Sequence, residues 1–242
     1  MHCTRSLIVL LAVSLSVSAC SMSPANQEIV LVSIHGPDYE SAADCLAEID
    51  VVYEFYHGDA VWLELTPFSF EKLRACGMAF ERWHRVVVSL SKTNYERLAD
   101  IEALHVTRYG NVVWLELTPS SFDKVQATGV TFELRDRATK MRLGGYSFDP
   151  VVEEPSLPAA LRANYRSGKP AFYLVQLYGP SKDAWLAELE AKGAENLGYY
   201  TAEAYRMRMT PRQAARTERF EFVRSVVPYH PAFRISPYLF EC

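Results

Sequence analysis

The chain has 242 residues, 49% hydrophobic and 12% aromatic, which excludes a disordered polymer and is ample for burying cores. Its formal net charge of −4 comes without any Lys/Arg run, which excludes a nucleic-acid binder of the basic-patch kind. The five cysteines form no CxxC and no Cys/His group at zinc spacing, so neither a metal centre nor a cofactor is expected.

At the N-terminus, Arg5 is a small positive region and Ser6 to Ala19 an apolar run too short to span a bilayer as a mature helix. The expectation is a signal peptide over residues 1–19. Its last residues with the one that follows, Val17-Ser18-Ala19-Cys20, resemble a bacterial lipobox, which implies that Cys20 becomes the acylated N-terminus and 20–28 a lipidated tether. Several acyl chains anchor durably where one would be marginal. Ser21 in place of Asp favours the outer membrane if the organism is Gram-negative, so the expected location is exported and lipid-anchored to the cell envelope; the alternative is ordinary cleavage after Ala19 and a soluble secreted protein. That compartment permits disulfides.

Two near copies follow. Residues 58–83 read GDAVWLELTPFSFEKLRACGMAFERW and residues 110–135 read GNVVWLELTPSSFDKVQATGVTFELR. Each is preceded by a β-type run, Ile29–Ile34 in one and Val86–Leu90 in the other. In both copies Leu-Thr-Pro ends a strand and starts a helix: Thr caps through its hydroxyl and Pro takes the first helical position, where no N–H is missed. A last strand is expected over Met78–Trp83 and Thr131–Leu134. By alternation Val61, Leu63 and Leu65 face the helices, and Trp62 and Glu64 the opposite sheet face, as do Trp114 and Glu116 in the second copy.

Residues 137–170 contain Gly144-Gly145 and four prolines and are expected to be a linker. A third, more divergent unit comes next. Phe172–Tyr178 reads as a strand and Ser181–Lys192 as a helix with Trp185, Leu186 and Leu189 on one face. Tyr205–Met209 reads as a strand, with Thr210-Pro211 and Gln213 making a capping box. Phe222–Val227 is the last strand. Arg206 and Arg208 stand where the other units have Trp and Glu, so this open face should be wetter.

The expected class is therefore α+β, with three ferredoxin-like βαββαβ units at 29–84, 85–136 and 171–227. Beyond them, Pro228, Pro231 and Pro237 favour an extended tail over 228–242.

The third unit resembles the subtilisin propeptide inhibitor family. The residues that carry it are YLVQLYGP (Tyr173–Pro180), AKGAENLGYY (Ala191–Tyr200), YRMRMTP (Tyr205–Pro211) and FVRSVVPYHPAFRISP (Phe222–Pro237). Residues 29–136 are more loosely similar to pro-region modules of secreted peptidases. The resemblance implies a compact inhibitor or folding helper of a subtilisin-like serine protease, with the segment after the last strand in the protease cleft. No GTSMA-like serine elbow, GxSxG or HExxH is present, so the chain is expected not to be an enzyme. His35, His57 and Asp59 sit at turns, and Asn111 replaces Asp59 in the second copy, so they read as structural.

The sites expected are few. Cys45 and Cys76 lie in two helices that pack side by side, within reach of a disulfide or as two buried thiols. Trp62 and Trp114 either pack against each other's sheets or bind a partner. Tyr229, His230, Phe233, Tyr238 and Phe240 in the tail either fold back or enter a partner's cleft. The expected function is a non-catalytic lipoprotein of protease-propeptide type, with a subtilisin-like protease as partner and the membrane reached through the lipid. The alternatives are a structural or adhesion protein-binding lipoprotein, or an orphaned pro-region.

Overall fold

The computed structural model describes residues 30–57, 59–98, 100–135 and 137–235. The expected signal peptide, lipid-bearing Cys20 and tether, and Tyr238 and Phe240, lie outside these residues. The protein is mixed α+β, with four small antiparallel sheets.

The first unit runs β1 (Val30–His35), α1 (Gly36–Ser41), α2 (Ala43–Leu46), β2 (Val51–His57), β3 (Ala60–Leu65), α3 (Pro67–Ala75) and β4 (Glu81–Trp83). The second runs β5 (Val86–Ser91), α4 (Lys92–Glu96), β6 (His105–Tyr109), β7 (Val112–Leu117), α5 (Pro119–Ala127) and β8 (Glu133–Leu134). Next come a strand pair, β9 (Met141–Leu143) and β10 (Tyr146–Phe148), and a 3-10 turn at Ala159–Leu161. The third unit runs β11 (Ala171–Leu177), α6 (Asp183–Ala191), β12 (Glu195–Thr201), β13 (Ala204–Met209), α7 (Pro211–Thr217) and β14 (Val223–Pro228).

Each four-stranded sheet repeats one spatial order: β2-β3-β1-β4, β6-β7-β5-β8 and β12-β13-β11-β14. The Leu/Met-Thr-Pro junctions are the reason the three units match. Thr66, Thr118 and Thr210 each accept the backbone N–H of the third helical residue, and Gln213 completes a reciprocal cap with Thr210. Alternation then sends Val61, Leu63 and Leu65 toward Phe70 and Leu73, and Val113, Leu115 and Leu117 toward Phe122 and Val125.

Cys45 in α2 and Cys76 at the end of α3 are joined by a disulfide, with their Cα atoms 6.2 Å apart. α1 and α2 bury no residue of their own. Closing this loop of 31 residues contributes on the order of 3–4 kcal/mol in the chain-entropy view. The bridge therefore holds a layer that packing holds weakly.

The units stack head to tail, not sheet face to sheet face. The open face of the first sheet, with Leu31, Phe55, Trp62 and Trp83, joins the apolar cluster of the second unit, and Phe55 sits 5.8 Å from Phe122 of α5. The second sheet's open face meets the third unit. Thr107 donates to the Tyr178 carbonyl at 2.9 Å, Tyr109 to that of Pro180 at 2.7 Å, and His105 stacks on Tyr178. Gly179 has φ +105°, and a Cβ there would stand 3.0 Å from the Trp114 ring, so a glycine is needed to let the two units close.

Residues 137–170 are not a free linker. Gly144 and Gly145 are the two residues of a tight β9–β10 turn, both with positive φ. Met141, Leu143, Phe148 and Leu157 are buried against Leu174 and Ala204 on the open face of the third sheet. That face is consequently drier than expected: Gln176 is buried, Arg206 is half-buried, and Arg208 alone of the two arginines is exposed.

The tail also departs from expectation. Pro231–Arg234 is a short 3-10 turn with Pro at its first position, which proline tolerates because no donor is lost there. It folds back so that Tyr229, Ala232 and Phe233 are buried with Phe148. Among the described residues no helix is long and apolar enough to cross a membrane.

Candidate functional site

The side chains singled out as partner contacts are spent on the protein's own interior. Trp62 is 1% exposed, stacks with Phe55 and packs at a tilt on Trp83; Trp114 is 9% exposed, beside Tyr109 and with Arg135 over its ring. Tyr229 and Phe233 are buried, and the Tyr229 hydroxyl shares a 3.0 Å hydrogen bond with that of Tyr200. His230 is half-buried and accepts the Ala163 N–H on Nδ1 at 2.8 Å, and burial followed by the nearby Arg162 charge lowers its pKa. Its role there is to fix a loop. Of the two alternatives expected for Trp62, Trp114, Tyr229, His230 and Phe233, internal packing is the one observed, and it corrects their candidacy as partner contacts: the head-to-tail stack and the folded-back tail cover them.

His35 pairs with Asp59 at 2.9 Å, with both side chains well exposed. Ser33, on the same strand, accepts the indole N–H of Trp83 at 2.9 Å. No hydrogen bond joins Ser33 to His35 among the described residues. The geometry is a surface ion pair beside a structural hydroxyl.

The repeat-equivalent carboxylates Glu64 and Glu116 have opposite fates. Glu64 is 0% exposed, and neither of its oxygens has a partner of good geometry among the described residues. Burial, followed by the charge of Asp123 on α5, pushes its carboxyl up to about 8. Glu116 instead takes both arms of Arg224, at 2.8–3.1 Å. Arg224 also donates to both oxygens of Asp149 at 2.8 Å and to the Gln176 amide oxygen at 2.9 Å. Desolvation works against the Arg224 charge, and its bonds to Asp149 and Glu116 outweigh it, so its pKa is raised. This buried clasp joins the second unit, the β9–β10 segment and the third unit through one guanidinium. The sequence signal for it is a single Arg inside the apolar β14 run, with no partner identifiable nearby.

Beside the clasp opens a cleft of about 800 Å3. Its walls are Asp59 of the first unit, Glu133, Arg135 and Trp114 of the second, Arg137, Lys140 and Arg142 leading into the strand pair, and residues 199–203 of the third. Glu133 holds Arg135 at 2.6 Å, and Glu81 holds Lys140 at 3.4 Å and Arg142 at 3.0 Å. Arg137 is exposed and has no ion pair among the described residues.

The β12–β13 hairpin is the irregular wall. Pairing of β12 shifts register twice, around Tyr199, and Gly198 carries φ +99°. Tyr199 packs edge-on against Tyr205 on the helix-covered face and Tyr200 against Tyr229 on the opposite face, and both residues border the cleft at the sheet edge. Ala202 and Glu203 then form the turn with φ of +47° and +56°, conformations that cost non-glycine residues roughly 1–2 kcal/mol each. The Gln176 amide and the Leu177 N–H hold their carbonyls at 3.0 Å. Burial raises the Glu203 carboxyl, and Arg135 opposes the shift. A bulge and two strained residues in one hairpin are the kind of feature that collects at functional sites.

A family model described as a domain of unknown function (DUF8729) matches residues 142–230, from within β9 to just past β14. No curated protein matches the chain. Among solved structures, protein BT0572 from Bacteroides thetaiotaomicron is 13% identical, covering 44% of this chain and 90% of that one, with a TM-score of 0.22. Aspartate kinase from Clostridium acetobutylicum is 8% identical, covering 41% of this chain and 31% of its own, with a TM-score of 0.23. E. coli aspartokinase III is 12% identical, covering 41% and 30%, with a TM-score of 0.24. The chain thus spans under a third of the length of those two kinases.

Proposed function

We propose that the protein is a non-catalytic, envelope-anchored binding lipoprotein of three ferredoxin-like units, which grips a protein partner in the cleft beside β12. The four-stranded order repeated three times supports the ferredoxin-like reading. The observation that carries the binding role is the β12–β13 hairpin. Tyr199 is 59% exposed on an edge strand, next to a bulge, a strained turn and a cleft with both signs of charge. Tyrosine is enriched at the cores of protein interfaces, and an edge strand offers unpaired backbone groups to an incoming segment.

A subtilisin-like serine protease is the first partner to try, on the strength of the third unit's resemblance. Engagement is through the cleft, since the residues up to Ile235 after β14 lie on their own domain. The test is photocrosslinking from a photoreactive residue at Tyr199, with Phe68 on the exposed face of α3 as the control site. The expected result is one protein product specific to Tyr199; identical products from both sites would sink the reading.

Anchoring rests on Val17-Ser18-Ala19-Cys20. A clickable palmitate analogue is expected to label the wild type and not Cys20→Ala. Equal labelling of the two would remove the anchor.

A further inference from the structure

We propose that a second pocket, walled by the loop before β11 and by the 3-10 turn after β14, binds a phosphate or pyrophosphate group. The pocket, about 400 Å3, carries Arg162, Arg166, Lys169 and Arg234 on its walls and no carboxylate. All four cations are exposed. None of them has an ion pair among the described residues, whereas Arg135, Arg142 and Arg208 each have one.

The loop that presents them is fixed rather than loose. The Tyr165 hydroxyl shares its one proton between the Phe172 carbonyl and, at 3.1 Å, that of Tyr229. Its ring packs edge-on against Tyr173, 5.0 Å away. Arg162 donates to the Leu157 carbonyl at 3.1 Å, and the Ala163 N–H is held by His230. Arg234 lies over the rings of Phe172 and Tyr229, at 5.8 and 5.0 Å, so its guanidinium is placed without an acid. Four cations held around one depression repel each other, and an anion bound among them removes that cost.

A monocarboxylate would leave most of this charge uncompensated. A phosphomonoester or pyrophosphate brings two or more charges and oxygens that match guanidinium forks. The group could belong to a soluble phosphate compound or to an anionic phospholipid headgroup, and the chemistry of recognition is the same.

The test uses the full chain carrying Cys20→Ser, so that no acyl chain contributes to membrane binding. Inorganic pyrophosphate is titrated by calorimetry at low salt. Sedimentation with phosphatidylglycerol vesicles and with neutral phosphatidylcholine vesicles separates the two sources. The variant is Arg166→Gln with Lys169→Gln, whose side chains make no hydrogen bond among the described residues; Arg208→Gln is the control. Binding of pyrophosphate, or selective sedimentation with phosphatidylglycerol, should weaken by about tenfold per charge removed and weaken further with salt. Neither pyrophosphate heat nor phosphatidylglycerol-selective sedimentation in the parent chain would overturn the proposal. So would an equal loss in Arg208→Gln.

Discussion

Replacing Arg224 with methionine is expected to destabilise the folded chain by on the order of 3 kcal/mol, because it strands the buried Asp149 and leaves the buried Glu116 only the longer contact to Arg85, at 3.7 Å. Arg224 is 1% exposed and is bonded to Glu116, Asp149 and Gln176. Methionine keeps much of the volume and removes the charge, so the loss reports uncompensated acids rather than a cavity. Lysine should not rescue it, since an ammonium cannot reach Glu116 and Asp149 with paired bonds at once. Adding Glu116→Gln and Asp149→Asn to Arg224→Met should recover part of the loss. Arg208→Met, which breaks only an exposed pair with Glu195, should move stability by under about 0.5 kcal/mol. Urea unfolding midpoints decide the matter; an Arg224→Met midpoint equal to that of Arg208→Met would mean that the clasp does not hold the stack.

Glu64→Gln is expected to stabilise the protein, and only where the wild-type carboxyl is under pressure to ionise. The folded carboxyl lies near 8 against an ordinary 4.5, so the folded state resists losing a proton that the unfolded chain gives up readily. Wild-type stability from this group is intact below about pH 4.5, falls as pH rises toward 8, and falls no further above it. The shift corresponds to a ceiling of about 5 kcal/mol, reduced by any relaxation that lets water reach the group. The variant should match the wild type near pH 4 and exceed it most at pH 8 and above. Glu116→Gln should do the reverse at neutral pH, because it removes a partner of Arg224. Stability curves for wild type and Glu64→Gln that run parallel from pH 4 to 9 would show that the Glu64–Asp123 contact is not strained.

Much of the local structure is legible because local chemistry sets it. Thr66-Pro67, Thr118-Pro119 and Thr210-Pro211 each start a helix whatever surrounds them, and in Val-Trp-Leu-Glu-Leu the purely aliphatic positions mark the face that the unit's own helices cover. What covers the other face is not local. Trp62 and Trp114 fit packing or an interface, and the outcome depends on α5 and Gly179, which are far away in sequence. The segment around Gly144-Gly145 carried a usable hairpin signal, with Met141-Arg142-Leu143 and Tyr146-Ser147-Phe148 on either side of a two-residue turn. The four prolines of residues 137–170 mask it, because proline-rich composition is also that of a linker. Arg224 was invisible, since its partners lie 108, 75 and 48 residues away. The strained Ala202-Glu203 turn was also hidden: neither residue favours positive φ, and tertiary bonds from Gln176 and Leu177 hold it.

Hydrogen exchange of the full chain, with and without the partner captured at Tyr199, tests the cleft most directly. Binding there should slow exchange in residues 195–203 and 135–142 and leave residues 61–65 and 112–117, already covered by neighbouring units, unchanged. Protection confined to β2 or α3, with the amides around Tyr199 and Arg137 exchanging as in the free protein, would contradict it.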